Sequence, residues 1–167
     1  MYPKSFEYIS PTNIDDVISL LDKYKEDAKL ISGGHSLIPL MKLRLVSPQI
    51  IVDLNNVSGY DNIALNQNML SIGSRVTHHE IEISTLLKEK CYMIPEAAAL
   101  IGDPQVRNVG TIGGALAQAD PAGDWGSVML SLNAEFAVKG KNGDRSIKAI
   151  DFFKDYYETD LTYDEIL

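Results

Sequence analysis

Cysteine is nearly missing from this chain: Cys91 is the only one in 167 residues. A single thiol excludes an internal disulfide, and it excludes a zinc site or iron–sulfur cluster built on this chain's own cysteines. No apolar run reaches about eighteen residues, so no membrane-spanning helix is expected. The opening MYPKSFEYIS has no basic start followed by an apolar stretch, and does not read as a secretory leader. Positive charge is short as well. Against 23 Asp and Glu stand 15 Lys and Arg, a net charge of −8. No basic stripe offsets it, so nucleic acid and anionic lipid are not expected partners. A phosphate-binding P-loop is excluded by the lack of G-x-x-x-x-G-K-S/T, and a Rossmann site is unsupported without G-x-G-x-x-G. His78 and His79 stand beside Glu80 with no further ligands in reach, so no metal site is expected and both histidines read as solvated surface residues. These features together point to a cytoplasmic protein.

What is present is a core: 45% of the residues are hydrophobic, ordinary for a globular chain of one domain or two small lobes. PTNIDDVISLLDKY reads as a helix with Thr12 as its N-cap and Ile14, Val17, Ile18 and Leu21 on one apolar face. AKLIS and PQIIVDL read as strands, with a short helix in SLIPLMKLRL between them. Residues 1–56 are thus expected to form a small lobe of helices and strands. Residues 57–167 are expected to form a larger α+β lobe. It opens with two strands around the turn Asn66 to Asn68, followed by a helix with a Thr77–Glu80 capping box and an Ala-rich helix in IPEAAALIG. GSVMLSLNA reads as helical, and EFAVKGKNGDRSIKA as a hairpin with Asn142-Gly143 at its turn. The fold class expected from this order is α+β.

Two glycine pairs carry the functional signal. SGGHS places Gly33-Gly34 at the end of a strand and ahead of a helix, and GTIGGALA places Gly113-Gly114 ahead of a second helix. Glycine leaves backbone N–H groups uncovered and admits positive φ. A strand–turn–helix junction of this kind makes an anion-binding concavity. Ser32, Ser36 and Thr111 add hydroxyl donors. Two such loops facing one another would hold a diphosphate with neutral donors, the device that an acidic protein needs. Asp103, Asp120 and Asp124 could form a carboxylate cluster, though Asp beside Pro or Gly more often fixes a turn, the role expected for Asp103 and Asp120. Arg107 could neutralise a cofactor phosphate but reads more readily as a surface salt-bridge partner, Cys91 and Trp125 read as core residues, and Tyr156-Tyr157 as a pair that could stack on adenine or face a partner.

The stretches ISGGHSLIPLMKLRLVSPQIIVDLN and IGDPQVRNVGTIGGALAQADPAGD resemble the two motifs of the flavin-binding medium subunit of molybdenum hydroxylases. Carbon monoxide dehydrogenase, xanthine dehydrogenase and aldehyde oxidoreductases belong to that family. The resemblance runs from Phe6 to the end of the chain. It implies a two-lobed FAD-binding domain of the vanillyl-alcohol-oxidase (PCMH) type, with FAD bound non-covalently between the lobes. By position, Ser32, Gly33, Gly34, His35 and Ser36 would form the first diphosphate loop, and Thr111, Ile112, Gly113, Gly114 and Ala115 the second. Asp124 matches a family acid that contacts the cofactor, and Leu167 an apolar contact near the flavin ring. No catalytic acid, base or nucleophile is expected from this polypeptide.

The resemblance further implies a partner large subunit with the molybdenum cofactor and a partner small subunit with 2Fe–2S clusters. Electrons would pass from the clusters through FAD to an external acceptor. Two departures from the family stand out. Asn is usual where this chain has Ala115, and the lost side-chain hydrogen bond weakens binding by about 0.5–1.5 kcal/mol. Family subunits also continue into a further C-terminal domain, whose contacts are expected to be absent here or to come from another chain. Two other functions stay open at this point. One is a non-catalytic scaffold with weak or lost FAD binding. The other is a free-standing oxidase with flavin bonded covalently to His35.

Overall fold

The computed structural model describes residues 2–167. Residues 2–57 hold a three-stranded parallel sheet of β1 (Glu7–Ile9), β2 (Ala28–Ile31) and β3 (Ile50–Asp53), in the order β1-β3-β2. β3 is buried along its whole length, as the centre of a parallel sheet must be. Helix α1 (Ile14–Tyr24) runs between β1 and β2 and lays Val17, Ile18 and Leu21 on the sheet, against Ala28, Ile50 and Val52. The N-cap of α1 is Asn13, one residue beyond the expected Thr12, and its side chain accepts from the Asp16 N–H at 2.8 Å. Helix α2 (Leu37–Lys42) connects β2 to β3.

A second hydrophobic core gathers the remainder. Strands β4 (Ile63–Asn66) and β5 (Met69–Ile72) pair around Gln67 and Asn68, whose φ values of 47° and 69° are those of a two-residue hairpin turn. The helix expected after Thr77 is two helices, α3 (His78–Ile83) and α4 (Thr85–Lys90). The Thr77–Glu80 capping box opens the first, and the Ser84 side chain breaks the run by accepting from the Leu87 N–H. Then come α5 (Met93–Leu100), α6 (Pro104–Arg107), α7 (Ile112–Gln118) and α8 (Asp124–Ser131).

Strands β6 (Glu135–Gly140) and β7 (Gly143–Lys148) form the expected hairpin. Its two-residue loop is Lys141-Asn142, while Gly143, with φ 110°, already begins the return strand. Helix α9 (Ala149–Phe152) and the small pair β8 (Phe153–Asp155) and β9 (Glu158–Thr159) follow. The last strand, β10 (Glu165–Ile166), adds to β6 and completes a sheet of order β10-β6-β7.

β10 is the seam of the molecule. It pairs within the second sheet, yet Ile166 is buried in the first core, while Leu167 packs on the second. Arg145 of β7 fastens this strand by ion pairs to Glu165 and Asp160, both at 2.7 Å. The second core centres on Phe152, fully buried with its ring 4.4 Å from Phe136 and 5.1 Å from Phe153. Replacing Phe152 with Ala removes that centre and is expected to cost about 3–5 kcal/mol in urea denaturation. A loss below about 1 kcal/mol would show that the surrounding aromatics close the gap on their own.

Candidate functional site

The two glycine motifs meet in one cleft. Gly33 sits so close to Val109 and Gly110 that a Cβ there would lie 2.4 Å from the Val109 carbonyl oxygen and 2.8 Å from the Gly110 Cα. A Cβ on Gly113 would lie 2.4 Å from the Ser74 Cβ and 2.6 Å from the Ser74 oxygen. Both glycines are therefore there for backbone approach. Gly34 answers a different need, a left-handed turn at φ 71°. Between and beside these loops lies an open cleft of about 1400 Å³.

The first loop leaves its donors free. Among the described residues, the N–H groups of Gly33, Gly34, His35 and Ser36 donate to no atom of the chain. The Ser32 hydroxyl is buried without a partner, while the Ser32 carbonyl accepts from Asn55 Nδ2 at 3.2 Å. Unpartnered polar groups held at a cleft wall are costly unless something else satisfies them.

The second loop differs from the expected cradle of main-chain amides. Ile112 N–H donates to Val76 O at 3.0 Å, Gly113 N–H to Ser74 O at 2.9 Å, and Ala115 N–H to Thr111 O at 3.0 Å. Gly114 N–H is taken by Thr111 Oγ1 at 3.3 Å, a cap on α7. What this loop offers the cleft is the bare surface of Gly114, the small Ala115, and the Thr111 hydroxyl proton, which has no acceptor among the described residues. Ile112 does not line the cleft. Its side chain is buried in the second core, because the turn that carries it is pinned to Val76 and Ser74. The other eleven expected site residues all line the cleft, Asp124 from the first turn of α8 and Leu167 from the strand seam.

The charge around the cleft balances. Lys29, Arg75 and Lys154 face it, and so do Asp120, Asp124 and Asp155. Lys154 is spoken for by Asp160 at 3.0 Å. An anion in this cleft would be held by dipoles more than by net charge, as the acidity of the whole chain requires. Tyr157 forms part of the rim. Its backbone is left-handed (φ 59°), its N–H donates to Ala119 O at 3.0 Å, and its hydroxyl donates to Asp120 at 3.3 Å. The charge of Asp120, more than burial, raises its phenol above the usual range. Asp120 also accepts from the Ala122 N–H and Asp103 caps α6, so both hold turns.

Two expectations are corrected by burial. His78 is only 4% exposed, where a solvated residue was expected. It begins α3 with its N–H tied to Gly110 O at 3.0 Å, and its Nδ1 accepts from Trp125 Nε1 at 3.3 Å. Arg107 forms the expected salt bridge, but not at the surface. It is half-buried, donating to Glu82 at 2.9 Å and to the Ile101 carbonyl at 3.0 Å. Arg75 went unnoticed in the sequence, since one Arg between Ser74 and Val76 makes no pattern. It lines the cleft, donates to the Val57 carbonyl, and has a buried Nε without a partner. Among the described residues no group of three metal-ligating side chains converges, and no helix is long and apolar enough to cross a membrane.

A family model described as the FAD binding domain in molybdopterin dehydrogenase matches residues 4–167. The chain is 38% identical to the glyceraldehyde dehydrogenase medium chain of Sulfolobus acidocaldarius, over all of this chain and 59% of that one. It is 40% identical to the carbon monoxide dehydrogenase medium chain of Afipia carboxidovorans, over all of this chain and 58% of the relative. Among solved structures it superimposes on carbon monoxide dehydrogenase from Hydrogenophaga pseudoflava, described as lacking the Mo-pyranopterin moiety of the molybdenum cofactor. There the TM-score is 0.98 at 37% identity, covering the whole chain and 58% of its match. The chain thus spans less than two thirds of the relatives it matches.

Burial first, and His35 second, push the His78 imidazole from the usual 6.5 down to about 4. The unfolded chain takes up that proton near pH 6.5 and the folded chain only near pH 4, so acidification through this window favours unfolding. Stability in urea should therefore climb as pH rises from about 4 to 6.5 and draw nothing further from this group above that range. In His78→Gln the climb should be shallower. Equal slopes in the two proteins would contradict the burial of a neutral His78.

Proposed function

Because the chain belongs to the family of FAD-binding domains of molybdopterin dehydrogenases, we propose that its cleft holds FAD non-covalently and that it acts as an oxidoreductase subunit of a molybdenum hydroxylase. In this proposal a partner large subunit carries the molybdenum cofactor and oxidises the substrate. A partner small subunit carries 2Fe–2S clusters, and this chain links them to an external electron acceptor in the cytoplasm. The observation that carries the proposal is the run of unpartnered amides from Gly33 to Ser36 beside the buried, unpartnered Ser32 hydroxyl. Donors of that kind suit the oxygens of a diphosphate. The room suits it too, since about 1400 Å³ exceeds the roughly 300–1,000 Å³ of an ordinary small-molecule pocket.

When bound, FAD supplies a redox centre that takes up and releases two electrons. The chain's own residues bind and orient it. Ser32, Gly33, Gly34, His35 and Ser36 present N–H and hydroxyl donors to phosphate oxygens. Thr111 adds a hydroxyl proton, and Gly114 and Ala115 let the cofactor approach the second loop closely, which Gly113 and Ile112 brace from behind. Asp124 offers a carboxylate acceptor to ribityl or ribose hydroxyls, and Leu167 an apolar wall to the flavin ring. The division into lobes at residues 56 and 57 would put one loop on each side of the cofactor. No side chain of this chain needs to act as acid, base or nucleophile.

A scaffold with weakened FAD binding is favoured by one observation, the Ala115 methyl where an Asn amide would reach the cleft. Ala115→Asn is expected to tighten FAD binding roughly two- to tenfold by restoring a hydrogen bond, as read by titration. No gain would remove Ala115 as a cause of weak affinity. The proposal itself is tested on the apo chain, whose only tryptophan, Trp125, lines the cleft. Added FAD should quench its fluorescence saturably, and acid precipitation should then leave the flavin in the supernatant. Flavin retained in the pellet would point to covalent attachment at His35, and the absence of any quenching or retained flavin to the scaffold.

A further inference from the structure

We propose that His78 is a further cofactor-binding residue, presenting a neutral Nε2–H donor to a phosphate oxygen of the bound dinucleotide. The inference rests on the FAD reading of the cleft. It is carried by three features of the site, beginning with position. The His78 N–H is fixed to the Gly110 carbonyl, and a Cβ on Gly110 would lie 3.0 Å from the His78 Cδ2 and 3.1 Å from Nε2. Gly33 abuts Gly110 as well, a Cβ on it lying 2.8 Å from the Gly110 Cα. The Nε2 edge of the ring is thus next to the one point where the two glycine loops meet.

The second feature is the tautomer. Trp125 has a donor and no acceptor in its indole ring, and it donates to Nδ1 at 3.3 Å. Nδ1 must therefore keep its lone pair, and the proton of the neutral ring belongs to Nε2. Trp125 also lies alongside the imidazole, 5.9 Å between centroids with the planes 29° apart. The third feature is availability. His78 lines the cleft, and its Nε2 has no partner among the described residues. Burial keeps the ring uncharged in neutral solution, so it acts as one more neutral donor beside the free amides of Gly33 to Ser36. Trp125 is then a positioning residue: it touches no phosphate, but decides which nitrogen of His78 carries the proton.

Nitrogen NMR of the histidine-labelled chain tests this without any turnover. The free protein should show His78 as the Nε2–H tautomer. Saturating FAD should shift Nε2 and its proton while Nδ1 keeps the signature of an acceptor. An Nδ1–H tautomer, or an Nε2 unmoved by FAD, would overturn the proposal. Two variants supply the energetic arm. His78→Leu should weaken FAD binding by about tenfold or more, the loss of one hydrogen bond to a charged group, and should move the phosphorus resonances of bound FAD. His78→Gln, whose amide reaches the place of Nε2, should restore affinity to within about threefold of the parent. A purely structural role would leave the phosphorus resonances alike in parent and His78→Leu. Failure of the parent chain to bind FAD would sink the functional proposal along with this one. FAD binding with an unmoved His78 would sink this one alone.

Discussion

The contact of Gly33 with Val109 and Gly110 is the constraint on which the site depends. Backbone meets backbone there with no room for a single methyl group, since a Cβ would stand 2.4 Å from a carbonyl oxygen. That approach draws the turn after β2 against the segment ahead of α7. Gly113 makes a second contact of the same kind with Ser74, behind the second loop. With the loops so placed, Gly110 seats the His78 ring, and Trp125, 47 residues along the chain, holds the far side of that ring. Two contacts that only glycine permits thus organise three segments of sequence around one cleft.

The loops then divide the work unequally. The second loop spends its amides on its own fold, which makes it a rigid, small-residue wall. The first loop keeps its amides free and carries an orphaned hydroxyl, which in the proposed function makes it the recognition element. The asymmetry follows from local structure. Thr111 caps α7 and bridges to Thr77, and Val76 and Ser74 take the next two amides, so every amide from Ile112 to Ala115 finds a partner. Ser36 precedes α2 without capping it through its side chain. Neither helix exceeds seven residues, so in the proposed function the aligned amides themselves, more than a long helix dipole, would hold the anion.

Most of the fold was legible because it is written locally. The capping box at Thr77, the apolar stripe of α1, the Ala-rich α5 and the two hairpins are each decided within a dozen residues. The glycine pairs were legible as a candidate site, and eleven of the twelve residues that the family resemblance implied line the cleft. What stayed hidden depends on distant partners. His78 looks like a surface residue until Trp125 covers it, and Arg107 until Glu82 and Ile101 enclose it. Ile112 sits inside a ligand-like motif, but its amide and side chain are claimed by Val76 and the core. β1 and β10, three and two residues long, are too short to show a period and exist only through pairing with β3 and β6.

The central claim is that glycine-only contact between the loops positions the free amides of the first one for a dinucleotide. Titration of FAD into Gly33→Ala tests it most directly, with circular dichroism to establish that the variant is folded. The added methyl must push Val109 aside, a strain of about 1–3 kcal/mol, so the account predicts a folded protein with FAD affinity reduced about tenfold or more. A folded Gly33→Ala variant that binds FAD as tightly as the parent would contradict it.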